Sequence, residues 1–234
     1  ANLTIPEIYG IWALLNLVVG IYIYTVLPEY FLRFVAVIIM KLIYRVKVIG
    51  KENIPSEGGC ILTCNHVSFA DWLVIYGGIK RPVRFVMYYK FMKIPFVSFL
   101  FKDAGVIPIA PRKENPELLD KAMDTIEEAL NNGEVICLFP EGTITYSGEV
   151  ESFKPGIERM LEKSPVPVIP MTLHGLWGSY FSRKYNQKAL SKHKLLLTSW
   201  WRPVEIKVHK AWAPSDVTAA KVEEFTRTQI SLDE

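Results

Sequence analysis

The stretch from Ile8 to Leu27, IYGIWALLNLVVGIYIYTVL, carries no charged side chain. A helix needs about 20 apolar residues to cross about 30 Å of hydrocarbon, and lipid leaves it no outside partner for its backbone polar groups. The run therefore predicts a membrane-spanning helix, with Trp12, Tyr22 and Tyr24 placed to sit near the interfaces. A buried core helix is the competing assignment, and the length without charge speaks against it. A secretory signal fits poorly, because no basic segment precedes the run and no small-residue cleavage site follows it. The chain begins at Ala1 rather than Met, as a piece cut from a longer protein would. Pro28 breaks the run. Residues 30–44, YFLRFVAVIIMKLIY, are apolar again but interrupted by Arg33 and Lys41. That pattern suits a segment lying in the interface, its long basic side chains reaching outward. Arg33, Lys41, Arg45, Lys47 and Lys51 all follow the first run, so the positive-inside rule places the remainder on the cytoplasmic side. The expected organisation is membrane-spanning and interfacial helices over 1–44 and a folded domain over 45–234.

From Val46 onward, apolar runs of strand length alternate with helical patterns. Strands are expected at 46–49, 60–64, 83–88, 105–109, 134–139, 166–173 and 204–210. Helices are expected at 68–79, 91–102, 116–131, 156–163 and 215–230. Asn115 and Pro116 mark one helix start and Gly133 its end, while Ser215 reads as the N-cap of the last helix. The fold class is α/β: a mixed, partly parallel sheet flanked by helices, with the N-terminal apolar segment attached. A formal charge of +3 and the lack of a basic block argue against nucleic acid as a partner. Cys60, Cys64 and Cys137, odd in number and set in apolar runs, read as buried reduced thiols rather than a disulfide framework. Their spacing also offers no metal site. Residues 174–203, rich in Trp, Tyr and Lys, suit a rim over membrane or substrate, and equally an ordinary folded excursion.

The stretch CNHVSFADW, residues 64–72, ends an apolar run on Asn65-His66 and places Asp71 in the next element. Ser68 to Asp71 could simply be a capping box. Alternatively, Asp71 holds the His66 imidazole in one tautomer while the other nitrogen takes a proton. Within one regular helix, a pair five residues apart would be ~140° apart and could not meet. A histidine lying before the helix start escapes that limit. A second stretch, LFPEGTITYSGEV at 138–150, ends a buried strand at Pro140 and leads into Glu141-Gly142-Thr143. Strand C-terminal edges are where α/β proteins place ligands, and this loop could offer backbone N–H groups and the Thr143 hydroxyl to an anion. No GxxxxGK[ST] and no GxSxG occurs, so neither a P-loop nor a hydrolase elbow is present. Ser68 is better placed for capping than for attack. Any nucleophile then comes from the substrate.

These residues carry a resemblance. Asn65-His66-Val67-Ser68-Phe69-Ala70-Asp71 resembles the NHxxxxD motif of the glycerophospholipid acyltransferase family, and Phe139-Pro140-Glu141-Gly142-Thr143 is similar to its FPEGTR(S) motif. Gly105 to Ile109 and Val166 to Pro170 resemble two further blocks, in the family's order. The N-terminal run together with residues 28–34 and 174–179 looks more narrowly like the acyltransferase portion of fused bacterial lysophospholipid transporter–acyltransferase proteins. In that case residues 8–27 would be the tail of the transporter's last helix. The resemblance implies a bacterial inner-membrane enzyme with its catalytic domain facing the cytoplasm. It implies that His66 is the general base and Asp71 its orienting acid. The acyl donor would be an acyl-carrier protein or coenzyme A thioester, with no other cofactor and no metal. The acceptor would be a membrane lysophospholipid, bound through Asn65, Glu141, Gly142 and Thr143.

Two departures bear on the acceptor. The family usually has arginine after Glu-Gly-Thr, and this chain has Ile144; it usually has arginine where Pro111 stands, and Arg112 comes one later. A phosphate monoester dianion calls for guanidinium forks, so the expected acceptor is a phosphodiester such as lysophosphatidylethanolamine, with lysophosphatidate the alternative. Arg112, Lys113, Lys154 and Arg159 are further candidates for the anion, though each could equally lie on a solvated face. The aromatic, apolar and basic segment 88–102 could dip into the interface and line an acyl tunnel, or be an ordinary helix with a buried face. Lys90, Lys93 and Lys102 could also meet an acidic carrier protein. The rival from another class is a non-catalytic lipid-binding module, which would have no need of a braced histidine.

Overall fold

The computed structural model describes residues 3–94, 98–184 and 201–232. Helix α1 (Ile5–Val26) is capped by Thr4 and Glu7, has no buried residue, and leads through Leu27 into α2 (Pro28–Ile43). By length and composition α1 is the one helix among the described residues able to cross a membrane. It touches the body through the Tyr24 hydroxyl, which donates to Asp103 Oδ2. Helix α2 is different. Its Ala36 and Met40 are buried in the core together with Tyr44. A Cβ on Gly77 would lie 3.1 Å from Met40 Sδ, so the glycine allows the close approach. The packed body therefore begins with α2, before the boundary expected at residue 44. The Arg33 side chain lies outside the described residues.

The body is a seven-stranded sheet in the order β1-β7-β6-β2-β5-β3-β4. The strands are β1 (Tyr44–Ile49), β2 (Cys60–Cys64), β3 (Val83–Tyr88), β4 (Ile107–Ile109), β5 (Val135–Leu138), β6 (Val168–His174) and β7 (Arg202–Val208). Every pairing is parallel except β6 with β7. All five residues of β2 are buried, as expected of a central parallel strand covered on both faces. One face packs α2 and α3 (Asp71–Gly78), with Trp72 edge-on to Phe101 of α4 (Ser98–Asp103). The other face packs α5 (Pro116–Asn131), α6 (Gly156–Lys163) and α7 (Ala219–Ser231). Because β2, β3, β4, β5 and β6 run in one direction, their C-terminal ends share one edge of the sheet, and the loops after them meet there.

The expected α/β class and the elements at 60–64, 83–88, 116–131 and 156–163 are found as read. The differences have local causes. The helix expected at 91–102 is a 3₁₀ turn at Tyr89–Lys93 and a separate α4, because a residue before proline is held extended, as Ile94 is before Pro95. The rest of that break, 95–97, lies outside the described residues. Strand β4 starts only at Ile107, since Gly105 adopts a left-handed φ of 65°. The last helix is capped by Thr218, whose Oγ1 accepts from Lys221 N at 3.2 Å, and Ser215 sits in the preceding 3₁₀ turn. Most of the irregular stretch 174–203 lies outside the described residues. The three cysteines are buried and free, and burial pushes their thiols up.

Candidate active site

His66 lies two residues beyond β2, and Asp71 is the first residue of α3. The turn between them brings the side chains together: His66 Nδ1 is 2.8 Å from Asp71 Oδ2. The same oxygen accepts from Val67 N at 2.7 Å and Ser68 N at 2.9 Å. One atom thus does two things: the carboxylate fastens two amides of the turn ahead of the helix and orients the imidazole, while the capping box with Ser68 as N-cap does not form, the N-cap of α3 being Ala70. Asp71 is fully buried, which pushes its carboxyl up, while His66 and the two amides pull it back. Its other oxygen, Oδ1, is buried with no described partner. Helix α3 begins at Asp71 rather than at 68, because Ser68 Oγ is used to accept from Ala70 N in the turn.

The second loop is built around the first. Phe139 stacks on the imidazole at 4.2 Å between centroids and 18° between planes. Glu141 Oε1 accepts from His66 N at 2.6 Å, and its Oε2 accepts from Glu151 N at 2.9 Å. Thr145 N donates to His66 O at 2.9 Å. The histidine is therefore held at its amide, its carbonyl, one ring nitrogen and one ring face. Its side chain keeps 20% exposure. Nε2 is the ring nitrogen with no partner among the described residues. Glu141 is 2% exposed, and burial raises its carboxyl to about 7.

This changes the role expected of two residues. With both oxygens engaged and almost no exposure, the Glu141 carboxylate braces His66 and has no free face for an acceptor. Asn65 is likewise buried and engaged within the protein: Nδ2 donates to Leu173 O at 3.0 Å and Oδ1 accepts from Leu173 N at 2.8 Å, which ties the end of β2 to β6. Gly142 and Thr143 are exposed at the tip of the loop, where the expected contact with a ligand remains open to them. Gly142 has a φ of 65°, and a Cβ there would lie 2.5 Å from Lys154 Nζ, so the lysine lies across the glycine.

A family profile described as Acyltransferase matches residues 45–174, more than half of the chain. The chain belongs to the acyltransferase family. Curated relatives include the "1-acyl-sn-glycerol-3-phosphate acyltransferase" of Borreliella burgdorferi, 30% identical over 56% of this chain and 51% of the relative. A chloroplastic protein of that name from Brassica napus is 29% identical over 56% of this chain and 38% of its own length. One from Chlamydomonas reinhardtii is 28% identical over 74% of this chain and 48% of its own length. The match thus spans about half or less of these relatives. Among solved structures, the 1-acyl-sn-glycerophosphate (LPA) acyltransferase PlsC of Thermotoga maritima superposes with a TM-score of 0.63 at 23% identity, covering 87% of this chain and 80% of that one. At that identity the likeness speaks to the fold.

In this member of the family the other expected anion-binding side chains divide. Arg112 pairs with Asp120 at 3.0 Å, and with Arg159 and Lys163 it lines a groove between α5 and α6, on the face opposite α3. The structure therefore does not bring Arg112 and Arg159 into the His66 cluster. Lys113 is exposed on the same loop as Arg112. Lys154 alone is carried to the His66-bearing edge, its N donating to Pro140 O at 2.9 Å. Phe139 and Thr145 hold the histidine, a role the sequence reading did not assign them. Arg183 also reaches this edge, from within the stretch 174–203 whose composition marked it only as aromatic and basic. The signal for the first two was their place in the quoted loop; nothing in the sequence linked Arg183 to it.

Proposed function

We propose that the chain is a membrane-anchored acyltransferase that moves a fatty acyl group from a thioester to the free hydroxyl of lysophosphatidate. The observation that carries the chemistry is the part-exposed imidazole of His66 braced at 2.8 Å by buried Asp71 at the sheet edge. Nδ1 stays protonated toward the carboxylate, so Nε2 is the acceptor. Nε2 takes the proton as the acceptor oxygen attacks the thioester carbonyl. The tetrahedral intermediate then collapses, the C–S bond breaks, and the departing thiolate recovers the proton from the imidazolium. Base catalysis of this kind is worth about 10²–10⁴-fold, and the placement of both substrates supplies more.

The names of the relatives support lysophosphatidate over the phosphodiester acceptor first expected from Ile144 and Pro111. Ile144 and Pro111 remain the observation that favours a lysophosphatidylethanolamine-like acceptor as the second reading. On either reading we infer that α1 anchors the body in the membrane; its length and lack of charge support this, and the basic residues after it favour a site facing the cytoplasm. Offering the purified protein each acceptor with labelled acyl-carrier protein or coenzyme A thioester tests the proposal. His66→Ala is expected to abolish transfer while lipid binding is kept. Transfer by that variant at the wild-type rate would overturn the base assignment, and a preference for lysophosphatidylethanolamine would overturn the acceptor.

A further inference from the structure

Arg183 is held in an unusual way for a surface arginine. Its guanidinium carbon lies 4.2 Å from the centroid of Tyr146 and 5.6 Å from that of Phe69, and Nη1 donates to Ile144 O at 2.9 Å. One donor is used, and two ring faces fix the plane. Among the described residues, none of the ion pairs involves Arg183. The sequence is in keeping with this: no acidic residue occurs from Lys163 to Val204, a span that includes the undescribed residues 185–200. A preorganised guanidinium with N–H groups to spare and no counter-ion among the described residues is suited to receive an anion.

Its position relative to the base is set by backbone bonds. Phe69 N donates to Phe181 O at 3.1 Å, and Ser68 bridges Ser182, so the segment bearing Arg183 is stitched to the turn after His66. Ile144, whose carbonyl Arg183 holds, precedes Thr145, whose N binds His66 O at 2.9 Å. Lys154 lies over Gly142 at the same loop tip. The exposed Gly142-Thr143 turn is thus flanked by two cations, both next to the loop that cradles the imidazole.

We propose that Arg183, with Lys154 as the second cation, binds the phosphate of the acceptor, and that this guanidinium supplies the positive charge that Ile144 does not. This rests on the acyl-transfer reading above. Both substrates can carry phosphate. In the acceptor it sits on the same glycerol as the reacting hydroxyl. In a carrier-protein or coenzyme A donor it is separated from the thioester by the whole pantetheine arm. A cation beside the base meets the acceptor's phosphate.

The test compares wild type with Arg183→Gln and Arg183→Lys in two arms. The first arm is binding, read by calorimetry with lysophosphatidate and with uncharged monoacylglycerol in detergent micelles. It reports on the site whether or not acyl transfer occurs, whereas absence of transfer in wild type would sink only the functional reading. The second arm is kinetics with each acceptor and with varied donor. Arg183→Gln is expected to weaken lysophosphatidate about 10- to 100-fold in Kd and KM, with kcat within a few-fold and monoacylglycerol and donor unaffected. Arg183→Lys is expected to restore part of the loss, since the charge returns without the fork. An equal loss for both acceptors, an effect confined to the donor KM, or no change would each overturn the proposal. Should Arg183→Gln fail to fold, competition in wild type decides: glycerol 3-phosphate must compete with the acceptor, and glycerol must not. Competition with the donor instead, or none, rejects the assignment.

Discussion

Asp71→Asn separates the two jobs that one carboxylate does. In the native protein Oδ2 takes His66 Nδ1, Val67 N and Ser68 N together, and Oδ1 is buried without a described partner. In the variant the two backbone N–H donors select the amide oxygen for the Oδ2 position. The imidazole keeps its tautomer and orientation, and the amide NH₂ falls where Oδ1 was. The negative charge is what disappears. A carboxylate and an imidazolium at about 4 Å, in an effective dielectric near 20, attract by about 4 kcal/mol. That attraction exists only once the base has taken its proton, so its loss falls on the transition state and lowers kcat by about 10³-fold. The fold changes less. An unpaired buried NH₂ costs about 1–3 kcal/mol, and relief of the buried charge offsets part of it. The assay is single-turnover transfer of a labelled acyl group at saturating acceptor, alongside thermal unfolding of the same preparation. A variant that keeps kcat within a few-fold while losing about 1 kcal/mol of stability would mean that the carboxylate fastens the turn amides and does nothing more.

The remaining predictions are simpler. The Glu141 carboxyl is raised from the ordinary 4.5 to about 7 by burial, so the folded state holds that proton more tightly than the unfolded chain. Stability attributable to this group is full below pH 4.5 and falls as pH rises to about 7, by roughly 3 kcal/mol. Glu141→Gln should flatten that slope in a pH series of denaturant midpoints, and an unchanged slope would refute the cause. Gly142→Ala should destabilise by about 1–2 kcal/mol through its left-handed φ and push Lys154 aside, seen as a lower Tm and a higher acceptor KM. Asn115→Ala removes the cap on Leu118 N and should cost about 1 kcal/mol while leaving kcat unchanged, because α5 packs on the face opposite α3.

Features with a local cause were legible in the chain. The uncharged run is the long exposed helix α1, and the largely apolar run at 60–64 is the covered central strand β2. Pro116 and Gly133 bounded α5 as their backbone preferences require. The pairing of His66 with Asp71 was also readable, because five residues around one turn is a short-range problem. What the tertiary structure decided is everything that depends on which strands are neighbours. Strand β2 lies beside β5, and this puts Phe139, Glu141 and Thr145 around His66. Two loops that both looked ready to face a ligand became a braced histidine and its cradle, because a buried carboxylate next to an unpaired backbone N–H is satisfied internally before it can serve a substrate. The placement of Arg112 and Arg183 was likewise decided by the tertiary structure. Arg112 is close in sequence to the block that drew attention to it, but it points toward α5 and its partner Asp120. Arg183 is far along the chain, and only the bonds from Phe69 and Ile144 bring its guanidinium to the histidine's edge.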